Sequence, residues 1–217
     1  MNILRTTEIN ASLEKTLSRS RLEKYLASCN DDLAKALTRY ERNTRLSEAF
    51  YTPLQCVEIC LRNTIHHRMG EAYGSDWMTN GAAPLMEGSA NMVANAVKEL
   101  QKSTGWPSND AIVSELKFAF WVGMLGHGYD ATLWRTVLFD GFSVGGRRRR
   151  RTIHARFNAI RRFRNRVAHH EPIIEKDLEM VHYEIIEAIS WMCVDTSAWA
   201  KHVSRFPTVF AEGQGQN

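Results

Sequence analysis

The segment RNRVAHHEP, Arg164 to Pro172, gathers residue types that suit phosphate chemistry. It places Arg164, Asn165 and His169 close together in the chain. The planar guanidinium of an arginine can hold a scissile phosphate and stabilise the charge that develops on it. A histidine titrates near neutrality and can exchange protons with a 2′-hydroxyl or a leaving 5′-oxygen. Arg164 and His169 therefore suit RNA cleavage without a metal ion, with Asn165 orienting the histidine or a phosphate oxygen.

The spacing of Arg164 and His169 sets a condition on the backbone. On a continuous α-helix, two residues five positions apart lie about 140° from each other around the helix axis, so the two side chains would diverge. Pro172 disfavours helical geometry at the residue before it, which predicts a helix end between them. Arg166 and His170 are four residues apart and form a competing pair. Capping of a helix C-terminus by basic side chains is the alternative interpretation of the whole motif.

A second polar cluster lies in CVEICLRNTIHHRM. Glu58, Arg62 and His66 are spaced four apart, so they share one face of a predicted helix, with Asn63 beside them. One interpretation is an exposed face with a Glu58–Arg62 salt bridge, which contributes a few tenths of a kcal/mol. The other is that this face lines the same cleft as the RNRVAHHEP motif and supports its chemistry.

Positive charge is concentrated just before the motif. Residues 147–166 hold ten of the 28 Lys and Arg residues and no acidic residue, which leaves 18 basic against 24 acidic residues elsewhere. Such a stripe is typical of a protein that binds a polyanion, although a solvated helix face has the same composition. The candidate RNA contacts are Arg147, Arg148, Arg149, Arg150, Arg151, Arg161 and Arg162.

Hydrophobic spacing predicts an all-α protein, a helical bundle with additional helices and two sizeable loops. Asn10, Ser20 and Asn30 are the predicted caps of the first three helices. A helix over 147–165 precedes the motif, and a single long helix over about 173–200 follows it. The aromatic residues of the middle segment are predicted to be core rather than a base-stacking platform: Phe118, Phe120, Trp121 and Trp134.

Several classes of function are disfavoured by the sequence. The four cysteines lack zinc-finger spacing and are expected to pack as small hydrophobic residues, so no metal site is predicted. No phosphate-binding glycine loop or nucleophile elbow is found, and no cofactor is expected. No apolar run approaches the length of a membrane span, and the N-terminus lacks a signal-peptide core. We therefore expect a cytoplasmic protein that does not contact a membrane.

The motif RNRVAHHEPI resembles the signature of the abortive-infection-like (Abi-like) proteins of the HEPN superfamily. That signature is an arginine, four to six residues and a histidine, often with an asparagine after the arginine. LQCVEICLRNTIHHRM is similar to the family's earlier helix, and SELKFAFWVGML to its middle segment. The resemblance covers roughly residues 40 to 190. It implies an Abi-like HEPN-type helical domain, which we place over 30–204. The rest of the chain is predicted to be an N-terminal helical extension over 1–29 and a disordered tail over 205–217.

The resemblance also implies a function, a metal-independent endoribonuclease whose two motifs meet across a homodimer. Many members are toxins or anti-phage abortive-infection effectors, and a toxin implies an antitoxin or another regulatory partner. Arg164 then takes the phosphate role, His169 the acid/base role and Asn165 a supporting role. His170 also fits the permitted spacing, so both histidines stay candidates. The alternative function is a non-catalytic HEPN module that binds RNA or a protein.

Overall fold

The computed structural model describes residues 5–144, 146 and 148–212, and this part of the chain is helical with no β-strand. The prediction of an all-α protein is therefore confirmed. Eleven α-helices are described: α1 (Thr7–Leu17), α2 (Arg19–Ala27), α3 (Leu33–Ala49), α4 (Tyr51–Tyr73), α5 (Glu87–Thr104), α6 (Asn109–Glu115), α7 (Phe118–Gly123), α8 (Arg150–Ala168), α9 (Leu178–Ser190), α10 (Val194–Val203) and α11 (Phe206–Glu212).

The segment between α7 and α8 has irregular helical geometry. A 3₁₀ turn over His127–Tyr129 leads into a π-helix over Asp130–Leu138, and a second 3₁₀ turn over Phe139–Phe142 follows. Where one long helix was predicted after the motif, the structure has α9 and α10. The backbone leaves helical geometry at Cys193, whose Sγ accepts a hydrogen bond from the Thr196 N–H at 3.4 Å and so caps α10.

The chain divides into two compact units. The first unit comprises Met1–Tyr51, Asn165–Leu178 and Arg205–Asn217, and the second comprises Thr52–Arg164 and Glu179–Ser204. The predicted boundary after residue 29 lies between α2 and α3, and these two helices share one hydrophobic core. That core contains Leu22, Tyr25, Leu26, Ala36 and Leu37.

The sequence predicts a disordered tail over residues 205–217, and part of this segment is helical. Residues 206–212 form α11, and Phe206 and Val209 on this helix are buried. The Phe206 ring lies against Phe50, with ring centroids 4.5 Å apart. Apolar contact of this kind favours an ordered helix over a solvated tail. Residues 213–217 lie outside the described part of the chain.

The first three helices begin at caps other than the predicted ones. Thr6 caps α1 and Ser18 caps α2, and the Asp32 carboxylate accepts from the Lys35 N–H at 3.0 Å at the start of α3. Side-chain oxygens at these positions satisfy N–H groups that have no helical partner. Asn10 instead lies buried within α1, and Asn30 has a left-handed φ of 52° in the turn before α3.

The second unit has a core rich in aromatic rings. Trp121 packs edge-on against Phe120, with ring centroids 4.9 Å apart, and also against Trp77. Phe118 and Trp134 are buried as well, so the prediction that the aromatic residues of this segment form core is confirmed. Within the described residues, no helix is both long and apolar enough to cross a bilayer.

Candidate functional site

Helix α8 ends inside the RNRVAHHEP motif. Its last residue is Ala168, and the His169 N–H still donates to the Asn165 carbonyl at 2.9 Å. His170 then leaves the helix with a φ of 56°, in the left-handed region. The helix therefore ends only at the last position of the predicted interval, and helical geometry continues from Arg164 up to His169. The unit boundary also falls within α8, so Arg164 belongs to the second unit, and Asn165 and His169 belong to the first.

The backbone after α8 forms a Schellman motif. The His170 N–H donates to the Val167 carbonyl at 3.0 Å, and the Glu171 N–H donates to the Arg166 carbonyl at 2.8 Å. These two bonds satisfy carbonyls that the helix end would leave unpaired. His170 occupies the left-handed position of the motif, which most often carries glycine or asparagine. His170 thus terminates the helix, while the side chain of His169 is exposed at its end.

Arg166 is held by the same turn. Its Nη2 donates to the Pro172 carbonyl at 2.8 Å, and its Nε lies 3.6 Å from the Glu171 carboxylate. The competing pair of Arg166 and His170 required a shared helical face. Because His170 lies beyond the helix in left-handed geometry, that face does not exist.

The two polar clusters of the sequence meet at Arg164. The Nε of Arg164 donates to the Glu58 carboxylate at 3.3 Å, and both residues belong to the second unit. The side chain of Arg164 is 40% exposed and that of Glu58 is 26% exposed. Glu58 therefore holds the guanidinium through Nε. No described residue accepts a hydrogen bond from the Nη groups, and these are the donors that a phosphate would use.

The other residues of the α4 cluster have local partners. The Nε of Arg62 donates to the Asn63 side-chain oxygen at 3.2 Å. Glu58 pairs with Arg164 and not with Arg62, the partner that one of the two interpretations assigned to it. The Nδ1 of His66 accepts from the Trp77 indole N–H at 3.1 Å. Burial lowers the pKa of His66 and outweighs the opposite pull of Asp110. His66 is thus a neutral, half-buried acceptor.

Arg150, in the middle of the predicted RNA-binding run, is part of the fold. Its Nε donates to the Asp130 carboxylate at 3.0 Å and its Nη1 to the Leu125 carbonyl at 2.8 Å, and the side chain is only 11% exposed. Burial raises the pKa of Asp130, but hydrogen bonds from Arg150 and Arg135 outweigh it and hold that pKa below its ordinary value. Arg150 therefore ties α8 to the π-helix.

Arg148 is also engaged within the protein. Its guanidinium lies over the Trp191 ring, 5.0 Å from the ring centroid, and donates to the Val144 carbonyl at 2.9 Å. Arg161 donates through Nε and Nη2 to the Asn158 side-chain oxygen. The sequence does not predict these contacts, because it gives no basis for distinguishing the seven arginines from one another.

Three arginines of the predicted set are exposed on or just before α8. They are Arg149, Arg151 and Arg162. Arg147 lies outside the described residues. The part of the stripe that faces solvent is therefore narrower than the sequence suggested.

Asn43 is a residue that the sequence analysis missed. It is 3% exposed, and its side-chain oxygen accepts from the Ile173 N–H at 2.7 Å and the Ile174 N–H at 3.2 Å. It thereby fixes the segment that follows the motif. The sequence feature that could have identified Asn43 is its place on the apolar face of α3, in helical register with Ala36 and Tyr40.

No model of a protein family, curated protein or solved structure matches this chain. Within residues 5–144, 146 and 148–212, no group of three or more His, Cys, Asp and Glu side chains is placed to hold a metal ion.

Proposed function

We propose that this chain is a metal-independent endoribonuclease of the HEPN type, acting as a homodimer with a composite cleft. The observation that carries the proposal is the Glu58–Arg164 contact, which joins the two polar clusters that the sequence singled out. An arginine held on one edge and free on the other is suited to binding a phosphate through two donors. A toxin or anti-phage effector is the biological role that the Abi-like resemblance favours.

In this proposal RNA cleavage is an internal transfer at phosphorus. A histidine accepts the proton of the 2′-hydroxyl, and the 2′-oxygen forms a bond to phosphorus while the bond from phosphorus to the 5′-oxygen breaks. A second histidine gives a proton to the leaving 5′-oxygen, and the partner protomer supplies that histidine. Arg164 stabilises the charge on the phosphate. The product ends are a 2′,3′-cyclic phosphate, or a 3′-phosphate after hydrolysis, and a 5′-hydroxyl.

Of the two histidines, His169 fits the acid/base role better. Both histidines are exposed, but His169 directly follows α8, whereas His170 is the left-handed residue of the helix-terminating turn. The His170 carbonyl also accepts from Arg21 at 3.0 Å, which ties this residue to α2. Asn165 lies one residue after Arg164 and keeps a supporting role.

The experiment is cleavage of a mixed RNA pool in the presence of EDTA. We expect the parent to cut with cyclic or 3′-phosphate ends and the His169→Ala variant to lose cutting while still binding RNA. His67→Ala, a change at an exposed histidine on α4, is the matched control and should cut like the parent. Cutting by His169→Ala at the parent rate would show that the assignment is wrong.

A non-catalytic RNA-binding module is the second candidate, and the exposed Arg149, Arg151 and Arg162 favour it. It predicts salt-sensitive RNA binding with no cleavage by the parent. If neither parent nor His169→Ala cuts, expression in cells separates the two functions. Toxicity of the parent but not of the variant would favour an enzyme that needs a specific RNA or trigger.

A further inference from the structure

The first unit contains a cleft between α2 and the segment that follows α8. Its volume is about 460 Å³, within the range of sites for small organic ligands. The residues that line it come from α2, the end of α8 and the following turn: Lys24, Tyr25, Ala27, Ser28, Arg166, Pro172, Ile174, Glu175 and Lys176. All of them belong to the first unit.

Two polar groups in the lining residues have no hydrogen-bond partner among the described residues. They are the hydroxyl of Tyr25 and the Nε of Arg166, and both atoms are buried. Tyr25 as a whole is only 2% exposed. Most buried polar groups in proteins are hydrogen-bonded, and an unpaired one is costly. Both donors belong to residues that line one cleft, and a ligand with acceptor oxygens is the kind of partner that they lack.

The charge of the lining is positive. Lys24, Lys176 and Arg166 are cationic, and Glu175 is the one acidic residue among them. The Glu175 carboxylate is already paired with Arg39. Arg166 lies near Glu171, but at 3.6 Å from that carboxylate its Nε is beyond hydrogen-bond distance. An anion is therefore the favoured ligand, since it would meet positive charge as well as free donors.

One wall of the cleft is formed by the segment that follows α8, and this segment is held in place before any ligand binds. Asn43 holds the Ile173 and Ile174 N–H groups, and Arg39 holds the Glu175 carboxylate. A preformed wall lowers the entropy cost of binding. Ala27, Pro172 and Ile174 add an apolar surface that a bare inorganic anion would leave uncovered.

We propose that this cleft is a binding site for a phosphate-bearing ligand of nucleotide size. The phosphate oxygens accept from the Tyr25 hydroxyl and the Arg166 Nε, Lys24 and Lys176 supply charge at the rim, and the organic part covers Ala27, Pro172 and Ile174. Burial raises the pKa of Tyr25 to about 12, so its hydroxyl stays a donor at neutral pH. The proposal does not depend on the ribonuclease activity. The phosphate can belong to a free nucleotide or to an RNA strand.

The test is calorimetric titration and thermal shift with three probes, namely inorganic phosphate, AMP and a short single-stranded oligoribonucleotide. The oligoribonucleotide is titrated into the His169→Ala protein, so that cleavage cannot obscure binding. We expect AMP to bind more tightly than phosphate. Tyr25→Phe removes only the unpaired hydroxyl, so it should fold at least as stably as the parent while raising the Kd for AMP about 5-fold.

The charge contribution is tested by Lys24→Ser/Lys176→Ser, which should raise the Kd for AMP about 10-fold. Lys15→Ser/Lys98→Ser makes the same change in charge at exposed lysines that do not line the cleft, and it should leave the Kd within about 2-fold of the parent.

The source of the phosphate follows from which probe responds. AMP binding that weakens in both cleft variants supports a nucleotide ligand. Oligoribonucleotide binding that weakens in them more than in the control, with no response to AMP, supports the cleft as part of an RNA path. Absence of binding by all three probes up to about 1 mM, or binding that the cleft variants leave unchanged, would overturn the proposal.

Discussion

Arg164 donates from its Nε to the Glu58 carboxylate across 3.3 Å, which joins residues 106 positions apart in the sequence. The contact links the polar face of α4 to the motif at the end of α8. It also determines the orientation of the guanidinium, because a planar group held through Nε presents its two Nη atoms on the other edge. Glu58 is therefore a positioning residue for Arg164 in the proposed ribonuclease.

Glu58→Gln is expected to slow RNA cleavage without weakening RNA binding. The glutamine keeps the size of the side chain but loses the charge that holds Arg164, so the guanidinium samples other orientations. Misplacement of a phosphate-binding group lowers the rate of the chemical step, and we expect kcat to fall about 10-fold. KM should stay within about 2-fold, since the exposed arginines that are proposed to bind RNA are untouched. Steady-state kinetics on a defined cleavable RNA measures both constants.

Glu71→Gln is the matched control for this prediction. Glu71 is also on α4, and its carboxylate accepts from Arg68 at 2.8 Å, so the substitution removes the charge from another Glu–Arg pair on the same helix. It should leave kcat unchanged. Equal losses of kcat in the two variants would mean that Glu58 acts through the stability of α4 rather than through Arg164.

His170→Gly is expected to stabilise the protein and keep cleavage. Left-handed geometry costs a residue with a Cβ about 1 kcal/mol, a cost that glycine avoids. The two backbone hydrogen bonds of the Schellman motif do not involve the side chain and stay in place. The melting temperature should rise by about 2–4 °C. If His170→Gly loses cleavage but melts no lower than the parent, His170 and not His169 would be assigned the acid/base role.

The sequence predicted the helical class because that class depends on short-range features. Apolar periodicity marked most of the helices, whereas α8 ends at the left-handed turn of His170, before the position that Pro172 restricts. The caps were less predictable, since Asn10 and Asn30 have good capping side chains and yet Thr6 and Asp32 perform that role. Neighbouring capping residues compete, and tertiary contacts such as the burial of Asn10 decide between them.

The partners of the charged residues were not predictable from the sequence. Glu58 could pair with Arg62 one turn away or with any distant cation, and only the fold brings Arg164 to it. The arginine run had the same difficulty. Arg150 and Arg151 are adjacent and chemically identical, but one points to Asp130 and the other to solvent. Long-range ion pairs depend on the packing of elements far apart in the chain, which local periodicity does not encode.

Arg150→Ala is expected to destabilise the second unit. The substitution leaves the Asp130 carboxylate and the Leu125 carbonyl without this donor, and a hydrogen bond to a charged group contributes about 1.5–3 kcal/mol. Arg151→Ala, at the next residue and exposed, should change the free energy of unfolding by less than about 0.5 kcal/mol. Urea unfolding of both variants measures the difference. Similar midpoints for the two variants would contradict the structural role of Arg150.

The exposed arginines are expected to set RNA affinity. Arg149→Ser/Arg151→Ser/Arg162→Ser should weaken RNA binding and flatten its dependence on salt, because each lost phosphate contact reduces the slope of log K against log salt by about 0.9 for duplex or 0.7 for single strands. Fluorescence anisotropy with a labelled RNA at several salt concentrations gives that slope. The melting temperature should not change, which distinguishes this variant from Arg150→Ala. An unchanged affinity for RNA would indicate that the arginine stripe is only a solvated helix face.

Stability is expected to fall as the pH drops through the range in which histidines titrate. Burial lowers the pKa of His66, His154 and His182 in the folded protein, whereas in the unfolded chain each has a pKa of about 6.5. Below about pH 6.5 the unfolded chain therefore binds more protons than the folded one, and protonation favours unfolding. The stability that these neutral histidines contribute is present at neutral pH and lost as the pH falls.

His66→Gln tests one structural consequence of this titration, since protonation of Nδ1 would remove the acceptor of the Trp77 indole N–H. A glutamine oxygen can accept a hydrogen bond and does not titrate. The loss of stability between about pH 7.5 and about pH 5.5 should be smaller in this variant than in the parent, because one of the three contributing histidines is gone. His67→Gln, at the exposed neighbouring histidine, should keep the parent's loss. Urea midpoints at the two pH values measure the losses, and equal losses in His66→Gln and the parent would mean that His66 is not part of the acid sensitivity.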